Sequence, residues 1–222
     1  MDNFFWSYMQ GKGKQMLFAK GSYIYQSIND DCNHYVFLLD KGICALTSLT
    51  EDGQENIYLY FRPRRIIAFN QFMITHDRVQ STEIKFSIAA KTDCTVYAIS
   101  RSVFREMLTT DMEFNSFVMQ TLSENYLEVL THLHWTVEKS AISKLCYLLL
   151  EIGEESNGKK IIPKFFTYEE LAKYLGTHPV TVSRIMTKLK KLKYIKKVPR
   201  GLSIENEAAL WSLIESGTDF KY

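Results

Sequence analysis

No stretch of eighteen or more apolar residues occurs in this chain, so no membrane-spanning helix is expected. The first residues, MDNFFWSYMQGKGK, hold an early acid, no basic run and no long apolar segment, so a signal peptide is not expected either. Cysteine is sparse and scattered. Cys32, Cys44, Cys94 and Cys146 form no C-x-x-C or other clustered spacing. That excludes grouped thiolates for an iron–sulfur cluster and leaves free buried thiols in a reducing cytoplasm as the expectation. Also missing are a glycine-rich phosphate loop, an H-E-x-x-H helix and a G-x-S-x-G elbow. No enzyme activity, cofactor or metal site is therefore expected. His132 and His134 lie two apart on a helical stretch and point to different faces, which argues against joint metal ligation.

What is present is unevenly spread. Of the 222 residues, 46% are apolar and 23% charged, with an overall balance of +2, a composition that builds one large or two modest cores. The small net charge hides an asymmetry. Residues 159–200 hold twelve Lys or Arg and two acids, whereas the rest of the chain holds fifteen basic and twenty-three acidic residues. A basic block on an otherwise acidic chain is the electrostatic footprint of a nucleic-acid site.

Within that block, 167–191 reads TYEELAKYLGTHPVTVSRIMTKLKK. Thr167 and Glu170 make a capping box for a first short helix, whose inner face is Leu171, Ala172 and Leu175. Gly176 follows, where a left-handed residue ends a helix. His178 is the cap of a second helix, with Pro179 at its first position. Val182, Ile185, Met186 and Leu189 recur at helical spacing and face the first helix. Val180, Thr181, Ser183, Arg184, Thr187, Lys188 and Lys191 face outward. Two short helices across a tight turn, the second with a polar, basic outer face, form a helix-turn-helix of the kind that reads the DNA major groove. A helical hairpin with a merely solvated basic face is the plain alternative, and a winged-helix module used for protein contacts or replication is another. After Leu192 the period becomes strand-like. Tyr194, Ile195 and Val198 precede Pro199-Arg200-Gly201, then Leu202 and Ile204 follow. This is a wing, with Lys196, Lys197 and Arg200 directed at phosphates. A last helix over 207–215 is expected to pack Leu210, Trp211 and Ile214.

Upstream, short β-rich runs at 23–25, 35–39, 43–49, 56–61, 66–69, 84–90 and 95–99 alternate with turn signals and no helices. That spacing implies an antiparallel barrel or sandwich. A long helix over 112–137 carries Met119, Leu122, Tyr126, Val129 and Leu133 three and four residues apart, with Leu127, Leu130 and His134 as a second stripe. One stripe is expected to pack on the barrel and the other, the first-named seam, on a second copy of the chain. A helix over 140–152 and a polar loop at 153–160 lead into the basic block. The expected division is a sensing barrel at 1–111, a dimer helix at 112–138 and a winged helix-turn-helix domain at 139–222. The fold class is α+β, with the barrel of jelly-roll type.

This order of elements resembles the Crp/Fnr family of bacterial transcription regulators over roughly 17–205. The resemblance rests on Leu171-Ala172-x-x-Leu175-Gly176 followed by Thr181-Val182-Ser183-Arg184-Ile185. It also rests on the barrel pattern 36–39 with Lys41-Gly42, Asp52-Gly53, and Ala90 before Lys91-Thr92. It implies a homodimer on a palindromic operator, an effector-sensing barrel, contact with RNA polymerase and a cytoplasmic location. It also implies base contacts from Pro179, Val180, Ser183 and Arg184, with Thr167, Tyr168, His178, Thr181 and Lys188 on the DNA backbone. Arg184 suits guanine. Val180 stands where the family often has an acid and suits a thymine methyl, so a half-site rich in A·T is expected.

The barrel departs from the family. Cyclic-nucleotide-binding members carry a Gly-Glu pair and an Arg-Ser pair; in register this chain has Ala68-Phe69 and Ile84-Lys85. The carboxylate for the ribose and the bidentate arginine for the phosphate are both missing. Arg62, Arg64 and Arg65 form a basic turn that either binds an anion or is merely solvated. The amino-terminal cysteine cluster of iron–sulfur members is absent, and His76 is a lone histidine that does not support haem. The expectation is a small hydrophobic or aromatic effector lined by Phe69, Ile84, Lys85, Phe86, Tyr126 and Leu130. The reading helix resembles the branch that includes halorespiration regulators sensing chlorinated aromatics. Two alternatives stay open: a cyclic-nucleotide-responsive regulator with a non-standard pocket, and a winged-helix DNA-binding protein without an effector.

Overall fold

The computed structural model describes residues 3–27, 34–51, 53–73, 85–156 and 158–216. They fall into two units, Met1–Val129 and Leu130–Tyr222.

The first unit opens with helix α1 (Asn3–Gly11) and continues through strands β1 (Lys14–Phe18), β2 (Tyr23–Gln26), β3 (Tyr35–Lys41), β4 (Cys44–Leu49), β5 (Glu55–Phe61) and β6 (Arg65–Ile67). A single turn α2 (Asn70–Met73), strands β7 (Phe86–Ala90) and β8 (Cys94–Ser100), and helix α3 (Arg101–Thr110) follow. The long helix α4 (Met112–Glu138) closes the unit and runs past its boundary. The strands do not close into a barrel. They form two four-stranded antiparallel sheets, ordered β1-β8-β3-β6 and β2-β7-β4-β5, which is jelly-roll topology.

Strand β3 shows how the sequence sets the layers. Alternate side chains of a strand point to opposite faces. Phe37 and Leu39 enter the inter-sheet core with Ile24, Leu59, Phe61, Ile88 and Val96. Val36 and Leu38 enter a second core beneath the helices, with Trp6, Met9, Phe104, Phe114 and Val118. Because both faces are covered, the strand reads as one apolar run. The turn after it needs Gly42, at φ +91°, since a Cβ there collides with the Asp93 carbonyl.

Three elements were invisible to periodicity. β1 is an edge strand with mostly exposed residues, so it shows no alternation. α1 and α3 are short helices whose buried residues, such as Phe5 and Met107, only make sense against the outer sheet.

The second unit contains α5 (Ala141–Ile152), β9 (Glu154–Ser156), β10 (Lys159–Pro163), α6 (Tyr168–Leu175), α7 (Pro179–Lys191), β11 (Ile195–Val198), β12 (Gly201–Ile204) and α8 (Glu207–Ser216). Its sheet runs β11-β12-β10-β9. The expected loop over 153–160 is therefore largely a hairpin, with Lys159 paired opposite Ser156 and Ile161 opposite Glu154. α5 is the hub. Ser140 caps it, and Ile142, Leu145, Leu148, Leu149 and Ile152 are buried. On α8, Leu210 and Ile214 are buried as expected, but Trp211 is 45% exposed. A helix this short places only positions three or four apart on one buried face.

Candidate nucleic-acid interface

Thr167 caps α6, its hydroxyl accepting from the Glu170 N–H at 3.2 Å. Gly176 ends the helix at φ 59° and ψ 38°, the left-handed conformation that costs glycine nothing. His178 caps α7 through Nδ1, which accepts from the Val180 N–H at 3.2 Å, and Pro179 follows. Such caps contribute about 1 kcal/mol each. Val182, Ile185, Met186 and Leu189 are buried beneath α7, facing Leu171, Ala172 and Leu175 of α6. Burying that face leaves the other outward. Val180 is 57% exposed, Arg184 is exposed, and Pro179, Thr181, Ser183 and Lys188 are partly so. Thr167 and His178 are exposed at the two helix starts. In the wing, Lys196, Lys197 and Arg200 are exposed, with Lys196 opposite Ser203 and Lys197 opposite Leu202. The four positions expected to contact bases thus lie on one helix face, and those expected on the DNA backbone lie on α6, α7, their caps and the wing.

The basic block is not uniformly available. Lys159 pairs with Glu205 at 2.5 Å and Lys160 with Glu207 at 3.4 Å. The hydrogen bond from Lys159 holds the Glu205 carboxyl below its usual range. Tyr168 is half-buried, and Lys190 Nζ donates to its hydroxyl at 2.7 Å. Sequence reasoning missed Lys190. The signal was its i+7 spacing from Ser183, which puts it on the flank of the outer face. His132, near the end of α4, lies ring to ring with Tyr174 of α6 at 4.3 Å. Burial, helped by Lys144, lowers its pKa. Trp135 stacks on Tyr147 of α5 at 4.3 Å.

The first unit treats its expected site residues differently. Phe69 is 2% exposed and belongs to the core with Phe72, Phe104 and Phe114. Phe86 is on the other sheet, edge-on to Tyr58 at 5.5 Å. Lys85, Tyr126 and Leu130 are exposed, and Ile84 and His76 lie outside the described residues. Of the expected effector lining, Phe69 thus serves the outer-sheet core and Phe86 lies on the other sheet. Ala68 holds φ 59°, a conformation that costs a non-glycine residue about 1–2 kcal/mol. The basic turn is neither solvated nor open to an anion at Arg65. This guanidinium is paired with Glu124 at 2.9 Å and Glu128 at 2.8 Å, and it donates to Asn125 at 3.1 Å. Arg64 donates to the Asn3 side chain at 2.8 Å. A cyclic nucleotide needs a carboxylate at its ribose and a cation at its phosphate. Buried Phe69 and the already paired Arg65 provide neither, so these residues do not fit that ligand.

The expected seam of α4 is split. Leu122 packs on the outer-sheet core and Val129 against the inter-sheet core, whereas Met119, Tyr126 and Leu133 are 49%, 62% and 56% exposed. Arg65 holds Glu124 and Glu128, and so fixes which face of the helix turns to the sheets. Cys44, Cys94 and Cys146 are free and buried, and burial pushes the Cys146 thiol up to about 12; Cys32 lies outside the described residues. Among the described residues no helix is long and apolar enough to cross a membrane.

Comparison with known proteins agrees with both units. Residues 15–111 match the cyclic nucleotide-binding domain, and residues 143–213 match the Crp-like helix-turn-helix domain. The lactate racemization regulatory protein of Lactiplantibacillus plantarum is 23% identical over 178 residues, 77% of this chain and 78% of its own length. Among solved structures, FixK2 of Bradyrhizobium japonicum shares the fold with a TM-score of 0.74 at 17% identity, over 90% of this chain and 96% of that one. The Crp/Fnr regulator TTHA1359 of Thermus thermophilus matches with a TM-score of 0.69 at 19% identity, over 92% and 100%. With both domain types in this order on one chain, the protein belongs to the Crp/Fnr family of transcription regulators.

Proposed function

We propose that this regulator binds DNA as a homodimer at a palindromic operator, in the bacterial cytoplasm, and acts on RNA polymerase. The single observation that carries the reading is the outward face of α7, where Val180 and Arg184 stand one turn apart and exposed. Arg184 can bond guanine O6 and N7, and Val180 can pack on a thymine methyl. Pro179 and Ser183 flank them, and Thr167, Tyr168, His178, Thr181, Lys188, Lys196, Lys197 and Arg200 hold the backbone. The exposed α4 positions Met119, Ser123, Tyr126, Leu130 and Leu133 recur four and three apart. That spacing supports a coiled-coil seam in a register shifted from the one first expected. A two-fold dimer sets half-sites about 34 Å apart.

The amino-terminal unit is then the sensor, for a small effector other than a cyclic nucleotide. That part of the reading is supported by the jelly roll and by the poor fit of Phe69 and Arg65 to a nucleotide. Arg184→Ala tests the DNA reading. Discrimination at one symmetric base position per half-site falls by about 1–3 kcal/mol, and other positions are unaffected. An equal loss on every sequence instead makes Arg184 a phosphate contact.

A further inference from the structure

We propose that Tyr168 and Lys190 form a composite phosphate-binding pair, in which Lys190 holds the Tyr168 hydroxyl and both donate to one phosphate of the DNA backbone. The proposal rests on the DNA-binding reading and deepens it.

The pair joins the two helices of the motif. Tyr168 opens α6 and Lys190 lies in the last turn of α7. Lys190 Nζ donates to the Tyr168 oxygen at 2.7 Å and lies 5.4 Å from the ring centroid. The ammonium therefore holds the tyrosine at its oxygen. A phenol oxygen that accepts from an ammonium keeps its own hydrogen for a further acceptor, and the cation strengthens that donation. Among the described residues nothing accepts the Tyr168 hydrogen and no carboxylate pairs with Lys190. Lys159 and Lys160 differ in this respect, since Glu205 and Glu207 hold them.

The local charge gives the lysine a purpose. Glu169 and Glu170 occupy the first turn of α6, where they favour the helix dipole but repel a phosphate. Tyr168 is neutral and cannot offset them. Lys190 places a cation against the same end from the neighbouring helix. It does so from the flank of α7 that carries Ser183 and Thr187, beside the outward face. A backbone phosphodiester, with one negative charge and two free oxygens, is an acceptor for the phenol O–H and for a remaining ammonium N–H together.

The test uses the full chain and a fluorescent 30-base-pair duplex of random sequence, titrated by anisotropy across a series of KCl concentrations. Tyr168→Phe keeps the ring and removes only the donor. It is expected to weaken binding about five- to tenfold on any duplex, as the loss of one charge-assisted hydrogen bond. Lys190→Met is expected to weaken it at least as much and to lower the salt slope by about one. The double variant binds no more weakly than Lys190→Met alone, and Lys190→Arg restores most of the loss. Full additivity of the two substitutions overturns the proposal, as does unchanged binding by Tyr168→Phe. If Lys190→Met lowers the unfolding midpoint, Tyr168→Phe against wild type decides alone. Failure of the wild-type chain to bind any duplex is a separate result, which sinks the DNA-binding reading itself.

Discussion

The two units use their cations in opposite ways. In the first, Lys91 is buried and tied to Glu55 at 2.7 Å, and Arg65 is held by two carboxylates of α4. These charges fasten one element to another. In the second, the sheet lysines Lys159 and Lys160 are held like this, and Arg184, Lys196, Lys197 and Arg200 stand exposed around α7 and the wing. At Lys91 and Arg65 the charge is structural. Charge in the second presents an anion-binding face.

The largest effect that breaks this contrast is expected at the buried pair. Glu55→Gln removes the carboxylate from Lys91, whose side chain is 9% exposed, and is expected to cost about 2 kcal/mol in a urea titration followed by tryptophan fluorescence. A cost below about 1 kcal/mol makes the pair no more than a surface contact. In the second unit the test is functional. Lys196→Ala lowers the salt slope of DNA binding by about one, and Lys159→Ala, already matched by Glu205, leaves it unchanged. Equal slopes for the two variants erase the distinction between held and presented lysines.

Smaller effects sharpen the comparison. Ala68→Gly relieves the left-handed backbone at φ 59° and raises stability by about 1 kcal/mol; a destabilised variant contradicts this. His132 sets a pH dependence in the second unit. Its folded pKa lies below the ordinary 6.5 because burial, then Lys144, disfavours the cation. The folded state thus binds this proton less readily than the unfolded chain does. The contribution is complete above about pH 6.5 and is lost as the pH falls below that value. His132→Phe, which keeps a ring against Tyr174, is expected to flatten that acid limb of the stability profile.

The helix-turn-helix was legible because every device in it is local. Thr167, Gly176, His178 and Pro179 act within four residues, and each was found where the spacing put it. The jelly-roll strands were legible as short runs, but their division into two sheets was not, since pairings such as β1 with β8 join residues about eighty apart. The layer that each expected lining residue joins is hidden for a related reason. Phe69 serves the outer-sheet core and Phe86 lies on the second sheet, a division set by strand pairing and not by local pattern. The seam of α4 misled because several registers fit its leucines. A long-range ion cluster at Arg65 selects the face that turns inward, and no helical period contains that information. Hydrophobicity alone places Trp211 inward, whereas its position on α8 leaves it exposed.

The central claim, that α7 presents a sequence-reading face in a two-fold arrangement, is tested most directly by selection of bound duplexes from a random pool by the full chain. The expected result is enrichment of an inverted repeat with half-sites about one helical turn apart, A·T-rich opposite Val180 and with one guanine per half-site assigned to Arg184. Enrichment of no common sequence, or of a single non-repeated site, contradicts it.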